Sequence, residues 1–80
     1  MFFILSNVPA EAGNEEVKLL VQQFGSVESM RALNINPAIT SEYLIEMQEN
    51  NRVVLDFIVN QLDHYYWHSK ILGARCPLFQ

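Results

Sequence analysis

The sequence predicts an α+β domain in which a four-stranded antiparallel sheet is covered on one face by two helices. Two segments have helical periodicity, and four others are short, apolar and rich in β-forming residues. They follow one another in the order β-α-β-β-α-β, for which two helices on one sheet face is the natural packing. With 80 residues there is room for one domain, and we expect residues 1–80 to be a domain cut from a longer protein.

The first third of the chain predicts a strand followed by a helix. Residues 2–8 are apolar and β-rich, and Pro9 ends them because proline has no N–H for a further ladder bond. Asn14 is placed as an N-cap before two glutamates, and Gly25 is placed to end the helix in a left-handed conformation. Between them the apolar residues recur at helical spacing: Val17, Leu20, Val21 and Phe24.

The middle of the chain predicts a pair of strands. Residues 26–35 form the less regular strand, and residues 34–37 are typical of a turn. Residues 41–47 have the alternating pattern of a β-strand, so that two sets of side chains would point to opposite faces of the sheet. One set is Tyr43, Ile45 and Met47, and the other is Glu42, Leu44 and Glu46.

The second helix is predicted from residue 52 to about residue 66. A helical wheel gives it an inward arc of six residues: Val54, Phe57, Ile58, Gln61, Leu62 and Tyr65. Leu55, Val59 and Tyr66 widen that apolar arc to roughly 200°, which exceeds what one sheet face requires. The excess predicts that part of this helix is available to a partner.

The last strand is predicted over residues 70–79, and Pro77 within it implies a position at the edge of the sheet. These elements together predict a core between the helices and one sheet face. The residues expected to be buried there are Phe3, Leu5, Leu20, Phe24, Tyr43, Ile45, Val54, Ile58 and Leu62.

The composition excludes several classes of protein. Half of the residues are hydrophobic and 18% are charged, a globular balance that excludes general disorder. No apolar run approaches the roughly 18 residues of a membrane span, so we expect no membrane partner. The net charge of −4 disfavours unaided phosphate binding. Cys76 is the single cysteine, which favours a reducing, intracellular compartment (nucleus or cytoplasm).

The sequence contains no recognisable catalytic or metal-binding constellation. His64 and His68 have the spacing of one helix face, but a metal site needs further ligands, so solvated surface histidines are the default. Cys76 has no recognisable catalytic partners, and a free cysteine is commonly a small buried hydrophobe. The three glycines are far apart and form no phosphate-binding loop. We expect a protein that is not an enzyme and has no metal or cofactor.

Three stretches resemble the RNA recognition motif (RRM) family. Residues 3–9 are similar to its first signature stretch, and residues 14–25 are similar to its first helix with the Phe-Gly ending. Residues 42–47 lie where the second signature stretch should be. The resemblance covers nearly the whole chain. It implies a ferredoxin-like, RRM-like sandwich that acts in RNA metabolism.

The positions that stack on bases in RNA-binding members of that family are not aromatic in this chain. They correspond to Ile4, Glu42 and Leu44. Base–aromatic stacking is worth about 1–3 kcal/mol per base. Glu42 and Glu46 would also place negative charge where phosphates must pass. We therefore expect the open face of the sheet to bind RNA weakly or not at all.

Two functions remain open at this point. The first is protein–protein interaction, or self-association with a second copy of the domain, through Leu55, Val59, Tyr66 and Trp67. The second is atypical single-stranded RNA binding near the last strand, for which the candidates are Ile4, Leu44, Arg31, Tyr65, His68 and Lys70. The aromatic run 65–67 also has a plainer interpretation, in which it packs in the core and covers the end of the sheet.

Overall fold

Two helices and six strands are found in the part of the chain that the structure, a computed structural model, describes. It describes residues 1–35 and 40–77, apart from the side chains of residues 34, 35 and 40. The elements are β1 (Phe2–Pro9), α1 (Asn14–Gln22), β2 (Val27–Ile35), β3 (Thr40–Met47), α2 (Arg52–Leu62), β4 (Tyr66–Trp67), β5 (Lys70–Ile71) and β6 (Gly73–Arg75). Residues 36 and 37 of the predicted turn, and residues 78 and 79 of the predicted last strand, lie outside the described residues, whereas residues 34 and 35 belong to β2.

The main sheet has four strands in the order β2-β3-β1-β6, and every neighbouring pair is antiparallel. This confirms the predicted α+β, ferredoxin-like fold class. The last strand lies at one edge, as Pro77 implied, although it is only three residues long and ends before that proline. β4 and β5 form a separate two-stranded hairpin that the sequence did not reveal.

The core lies between one face of this sheet and both helices. One apolar cluster contains every second residue of the central strands and the buried residues of both helices. Both helices therefore cover the same face of the sheet. Seven of the nine residues expected in the core are buried: Phe3, Leu5, Leu20, Tyr43, Ile45, Ile58 and Leu62. Phe24 is half-buried against the cluster, whereas Val54 is 39% exposed and its prediction was wrong.

Helix α1 differs from its prediction at both ends. Its N-cap is Gly13, and Asn14 is the first helical residue, whose Oδ1 accepts a 3.0 Å hydrogen bond from the Tyr43 hydroxyl. Gly25 does not adopt a left-handed conformation. A Cβ at Gly25 would lie 2.9 Å from Cε of Met47 and 3.1 Å from Cδ1 of Ile58, so a larger residue would require the ends of these two side chains to shift.

Helix α2 is rotated relative to the predicted wheel. Asn51 caps it by accepting from the N–H of Val53 at 2.9 Å. Its buried residues are Leu55, Ile58, Val59 and Leu62, a single stripe at i, i+3, i+4 and i+7. On a helical wheel with 100° per residue, the centre of this buried stripe is roughly 80° from the centre of the predicted inward arc. Leu55 and Val59 are therefore core residues, and their assignment to an exposed partner surface was wrong.

The helix also ends one turn earlier than expected. Asp63 is its C-cap with extended backbone, and His64 follows with φ 66°, a left-handed conformation that commonly ends helices. Residues 65–71 then form the β4–β5 hairpin instead of continuing the helix. His68 and Ser69 make its turn with φ 49° and 67°, in place of the Asn-Gly type of turn that a sequence usually signals.

Side-chain bonds hold β6 and the hairpin against the rest of the domain. Asp63 Oδ1 accepts from the backbone N–H of Ala74 at 3.1 Å, which links the end of α2 to β6. The Asn7 amide donates to the carbonyl of Ile71 at 2.7 Å, which links β1 to the hairpin. The edge strand and the hairpin are therefore each attached to the rest of the domain by a side chain.

The orientation of α2 can be tested with two substitutions in its first turns. Replacing the fully buried Leu55 by Ala should lower the free energy of unfolding by about 2–5 kcal/mol, because it leaves a cavity. Val53→Ala, at an exposed position, is the matched control and should change it by no more than about 0.5 kcal/mol. Urea unfolding measures both. Equal losses in the two variants would show that the assigned face of α2 is wrong.

Candidate nucleic-acid interface

The face of the sheet opposite the helices, the open face, is not covered by any described element. Because side chains alternate along a strand, residues 2, 4 and 6 of β1 and residues 42, 44 and 46 of β3 lie on this face. All six are half-buried, and their neighbours Phe3, Leu5, Tyr43 and Ile45 form the core beneath. The open face is therefore a continuous surface supported by a packed core.

One row of four residues crosses the middle of the open face. Leu44 lies opposite Ile4 on β1 and opposite Arg31 on β2, and Ile4 lies opposite Arg75 on β6. We call this set, Arg31–Leu44–Ile4–Arg75, the arginine row. Its two ends are three strand spacings apart, roughly 14 Å at about 4.8 Å per spacing. The row thus has an apolar centre and a guanidinium at each end.

Both arginines of the row are exposed and available to a ligand. Within residues 1–35 and 40–77, neither Arg31 nor Arg75 makes an ion pair. Arg52, in contrast, is held by Asp56, whose Oδ1 is 3.0 Å from its Nε. A free guanidinium can contact a phosphate or stack on a planar group.

The two carboxylates of β3 on this face are not equivalent. Oε2 of Glu46 lies 2.8 Å from the amino nitrogen of Met1. Glu42 has no ion pair in the described part of the chain. Its backbone lies opposite residue 34 on β2, two residues along β3 from Leu44.

Sequence reasoning missed two residues of the open face. Arg75 was overlooked because the last strand was predicted too long, which left its register with β1 undefined. Phe2 was overlooked because only Ile4, Glu42 and Leu44 were compared with stacking positions. The signal was present for Phe2, since strict alternation from Ile4 places it on the same face, opposite Glu46. The open face therefore does carry an aromatic side chain, that of Phe2.

The structure separates the four residues assigned to a partner surface. Leu55 and Val59 are in the core. Tyr66 is 69% exposed on β4, and Trp67 is half-buried against the core. Tyr66 lies opposite Ile71 in the hairpin, and both are exposed. Only the hairpin part of the predicted surface is therefore accessible.

The other residues considered for RNA binding do not join the arginine row. Tyr65 packs edge-on against Phe24, with ring centroids 6.1 Å apart, so it belongs to the core side. Nε2 of His68 lies 3.1 Å from Oε2 of Glu16, which attaches the hairpin turn to α1. Lys70 is exposed on β5. Of the six predicted residues, Ile4, Leu44 and Arg31 are the three that the fold brings together.

The histidines and the cysteine form no catalytic arrangement in the described residues. His64 and His68 do not share a helix face, because α2 ends at Leu62. No group of three metal-binding side chains occurs in the same part of the chain. Sγ of Cys76 lies 3.8 Å from Oδ1 of Asp56. Partial burial raises the pKa of this thiol, and Asp56 adds to the rise while Arg52 opposes it.

Solved structures of RNA recognition motifs share this fold over nearly the whole chain. The RRM of Rna15 with bound RNA (GU) is 18% identical with a TM-score of 0.78, covering 96% of this chain and 82% of that one. RRM3 of Pes4 is 11% identical with a TM-score of 0.82, covering 99% and 93%. The RNA binding protein PG1 is 20% identical with a TM-score of 0.77, covering 100% and 96%. By its architecture this chain is an RRM-like domain.

No protein-family profile and no curated protein matches the sequence. Neither helix in residues 1–35 and 40–77 has the length and apolar character needed to cross a membrane.

The raised pKa of Cys76 gives a pH test of its surroundings. Only the thiolate is alkylated, so the alkylation rate of the folded protein should reach half of its maximum at a higher pH than that of the urea-unfolded chain. Iodoacetamide labelling followed by mass spectrometry measures both profiles. A midpoint in the folded protein at or below that of the unfolded chain would mean that the thiol is not shielded by partial burial.

Proposed function

We propose that this chain is a non-catalytic, RRM-like module of an RNA-metabolism protein that binds single-stranded RNA on its open face. The observation that carries the proposal is the arginine row, in which an apolar centre of Leu44 and Ile4 lies between two unpaired guanidinium groups. RNA-binding surfaces on sheets combine contacts to unstacked bases with positive charge for the backbone. The single cysteine further supports an intracellular location.

The likeness to solved RRM structures supports this choice over a purely structural role. One of them, the RRM of Rna15, was solved with RNA bound. In this chain, the side chains of residues 4 and 44 on the open face are partly exposed. The flat faces of bases can lie on Leu44 and Ile4, while Arg31 and Arg75 are placed to contact phosphates at the two sides.

The proposed binding is weak and sensitive to salt. Each missing aromatic platform removes about 1–3 kcal/mol of stacking per base, and aliphatic side chains replace only part of it. Arginine–phosphate contacts supply the remainder, and they weaken as salt rises because fewer counterions are released on binding. We therefore expect micromolar or weaker affinity at physiological salt.

The role of the arginine row is tested by removing its two charges in turn. Arg31→Ala and Arg75→Ala should each weaken the binding of a labelled single-stranded RNA about fivefold, or ~1 kcal/mol, at low salt. Each should also reduce the slope of log affinity against log salt by about 0.7 if one phosphate contact is lost. Lys18→Ala, which removes an exposed charge on α1, is the matched control and should leave affinity nearly unchanged. Fluorescence anisotropy gives both quantities.

A gain of affinity provides the second arm of this test. Leu44→Phe adds an aromatic platform at the centre of the row. It should tighten RNA binding, because any base can stack on its ring. If the arginine variants bind as well as the unmodified domain and Leu44→Phe has no effect, RNA does not bind on the open face.

A second candidate function is self-association through the outer side of α2. Val53 and Phe57 are 76% and 63% exposed, one turn apart, and with Val54 they form what we call the α2 patch. A groove of about 410 Å³ adjoins it, and its lining combines Phe24, Val54 and Ile58 with Gly25 and with the polar residues 26 and 48–50. Exposed apolar patches on small domains commonly mark contact sites, and two-fold pairing of copies is the commonest assembly.

Self-association through the α2 patch predicts a concentration-dependent mass. The double variant Val53→Asp with Phe57→Ser should remain folded, because both positions are exposed, and should be monomeric where the unmodified domain dimerises. Leu19→Ser, at a similarly exposed apolar position on α1, is the matched control and should keep the mass of the unmodified domain. Light scattering over a range of concentrations measures this. A monomeric unmodified domain at high concentration would exclude the second candidate.

A further inference from the structure

Glu42 is an unusual side chain to find on the open face of an RNA-binding sheet. It lies next to the arginine row, two residues from Leu44 on the same face of β3, and it is half-buried. In the described residues no cation neutralises it. An ionised carboxylate accepts hydrogen bonds and donates none, so whatever contacts it must present N–H or O–H groups.

Glu46 provides a comparison within the same strand. It lies on the same face, but the Met1 amino group is 2.8 Å from its Oε2 and already supplies donors to it. Glu42 is thus the carboxylate on this face of β3 whose acceptor capacity is unused within the described part of the chain. The two glutamates carry the same charge, which makes one a matched control for the other.

The bases differ in the donors that they offer to a carboxylate. On its Watson–Crick edge guanine has two adjacent donors, N1–H and the N2 amino group, which match the two oxygens of one carboxylate. Adenine and cytosine have an amino donor beside a ring nitrogen that accepts, and uracil has one N–H between two carbonyls. Charge-assisted bidentate bonds are the stronger and more selective kind. A bidentate contact with the Watson–Crick edge of any other base would place an acceptor against a carboxylate oxygen, so the other bases can offer at most one bond.

We propose that the open face selects guanine in single-stranded RNA, with the Glu42 carboxylate accepting from guanine N1–H and N2–H while the base lies on Leu44. The inference deepens the proposed function and rests on it. Arg31, opposite Leu44 on β2, lies beside the bound base and contacts the backbone or the ring face. The Glu42 carboxylate thus repels the phosphates of any RNA but recognises guanine through its hydrogen bonds.

The selectivity follows from penalties as much as from attraction. A buried acceptor left without a donor loses its hydration without replacement, so a base that presents acceptors to Glu42 is disfavoured. Guanine alone satisfies both oxygens. The expected preference is therefore over all three other bases, and it depends on the N2 amino group.

The experiment compares oligouridines that carry one central guanosine, adenosine, cytidine, uridine or inosine. Inosine keeps N1–H and lacks the N2 amino group, so it removes one of the two proposed bonds. At low salt the unmodified domain should bind the guanosine oligomer about tenfold more tightly than the adenosine, cytidine and uridine oligomers, equivalent to ~1.4 kcal/mol. Inosine should be intermediate. Fluorescence anisotropy with each labelled oligomer gives these ratios.

Two conservative variants locate the preference. Glu42→Gln and Glu46→Gln each remove one negative charge, so a general electrostatic effect should raise the affinity for every oligomer by a similar factor in both variants. In Glu42→Gln the guanosine oligomer should in addition lose its contact with the carboxylate. The ratio of guanosine to adenosine affinity is the decisive quantity, because a general electrostatic effect leaves it unchanged. It should fall to about one in Glu42→Gln and remain about tenfold in Glu46→Gln. Thermal unfolding confirms that both variants are folded.

The outcomes separate this inference from the proposed function. If the five oligomers bind equally and binding still depends on Arg31 and Arg75, the guanine inference is overturned and RNA binding stands. A guanosine preference that persists in Glu42→Gln also overturns it, because another group would then read the base. If no oligomer binds the folded domain even at low salt, both proposals fail.

Discussion

The antiparallel pairing of β1 with β3 is the constraint on which the rest of the structure depends. Its register places Phe3 opposite Ile45 and Leu5 opposite Tyr43, and all four side chains are buried beneath the helices. The same register places Ile4 opposite Leu44 on the open face. A slip of one residue would exchange the two faces, exposing the core residues and burying the candidate interface. Core and interface are therefore two consequences of a single strand pairing.

The second arginine of the row depends on a close approach between β1 and β6. A Cβ at Gly73 would lie 2.6 Å from Oγ of Ser6, so a larger residue would force the Ser6 hydroxyl to move. The Ser6 hydroxyl donates to the carbonyl of Gly73 at 3.3 Å, and Asp63 holds Ala74 from the helix side. These contacts fix a strand of only three residues. Arg75 occupies its place in the row because the preceding two residues are held on both sides.

Sequence reasoning succeeded where the polar and apolar residues separate cleanly and failed where they do not. In β3 the alternation has one solution, and the faces of Tyr43 and Leu44 were predicted correctly. In α2 the apolar arc is so wide that several rotations fit, and only packing against the sheet selects Leu55 over Val54. The hairpin had no signal, because its left-handed turn is made by His68 and Ser69 without glycine or asparagine.

The positions of the charges matter more to the proposed function than the net charge of −4. Glu15 and Glu16 lie in the first turn of α1, where the helix dipole favours them, on the side of the sheet that carries the helices. Charges separated by more than about 10 Å are largely screened at moderate salt, so these acids oppose RNA binding little. On the open face, Met1 compensates Glu46, and Glu42 stands beside Arg31 and the apolar row. In the proposed complex with RNA, the two guanidinium groups of the arginine row offset this single carboxylate, and the carboxylate restricts which base can lie next to it.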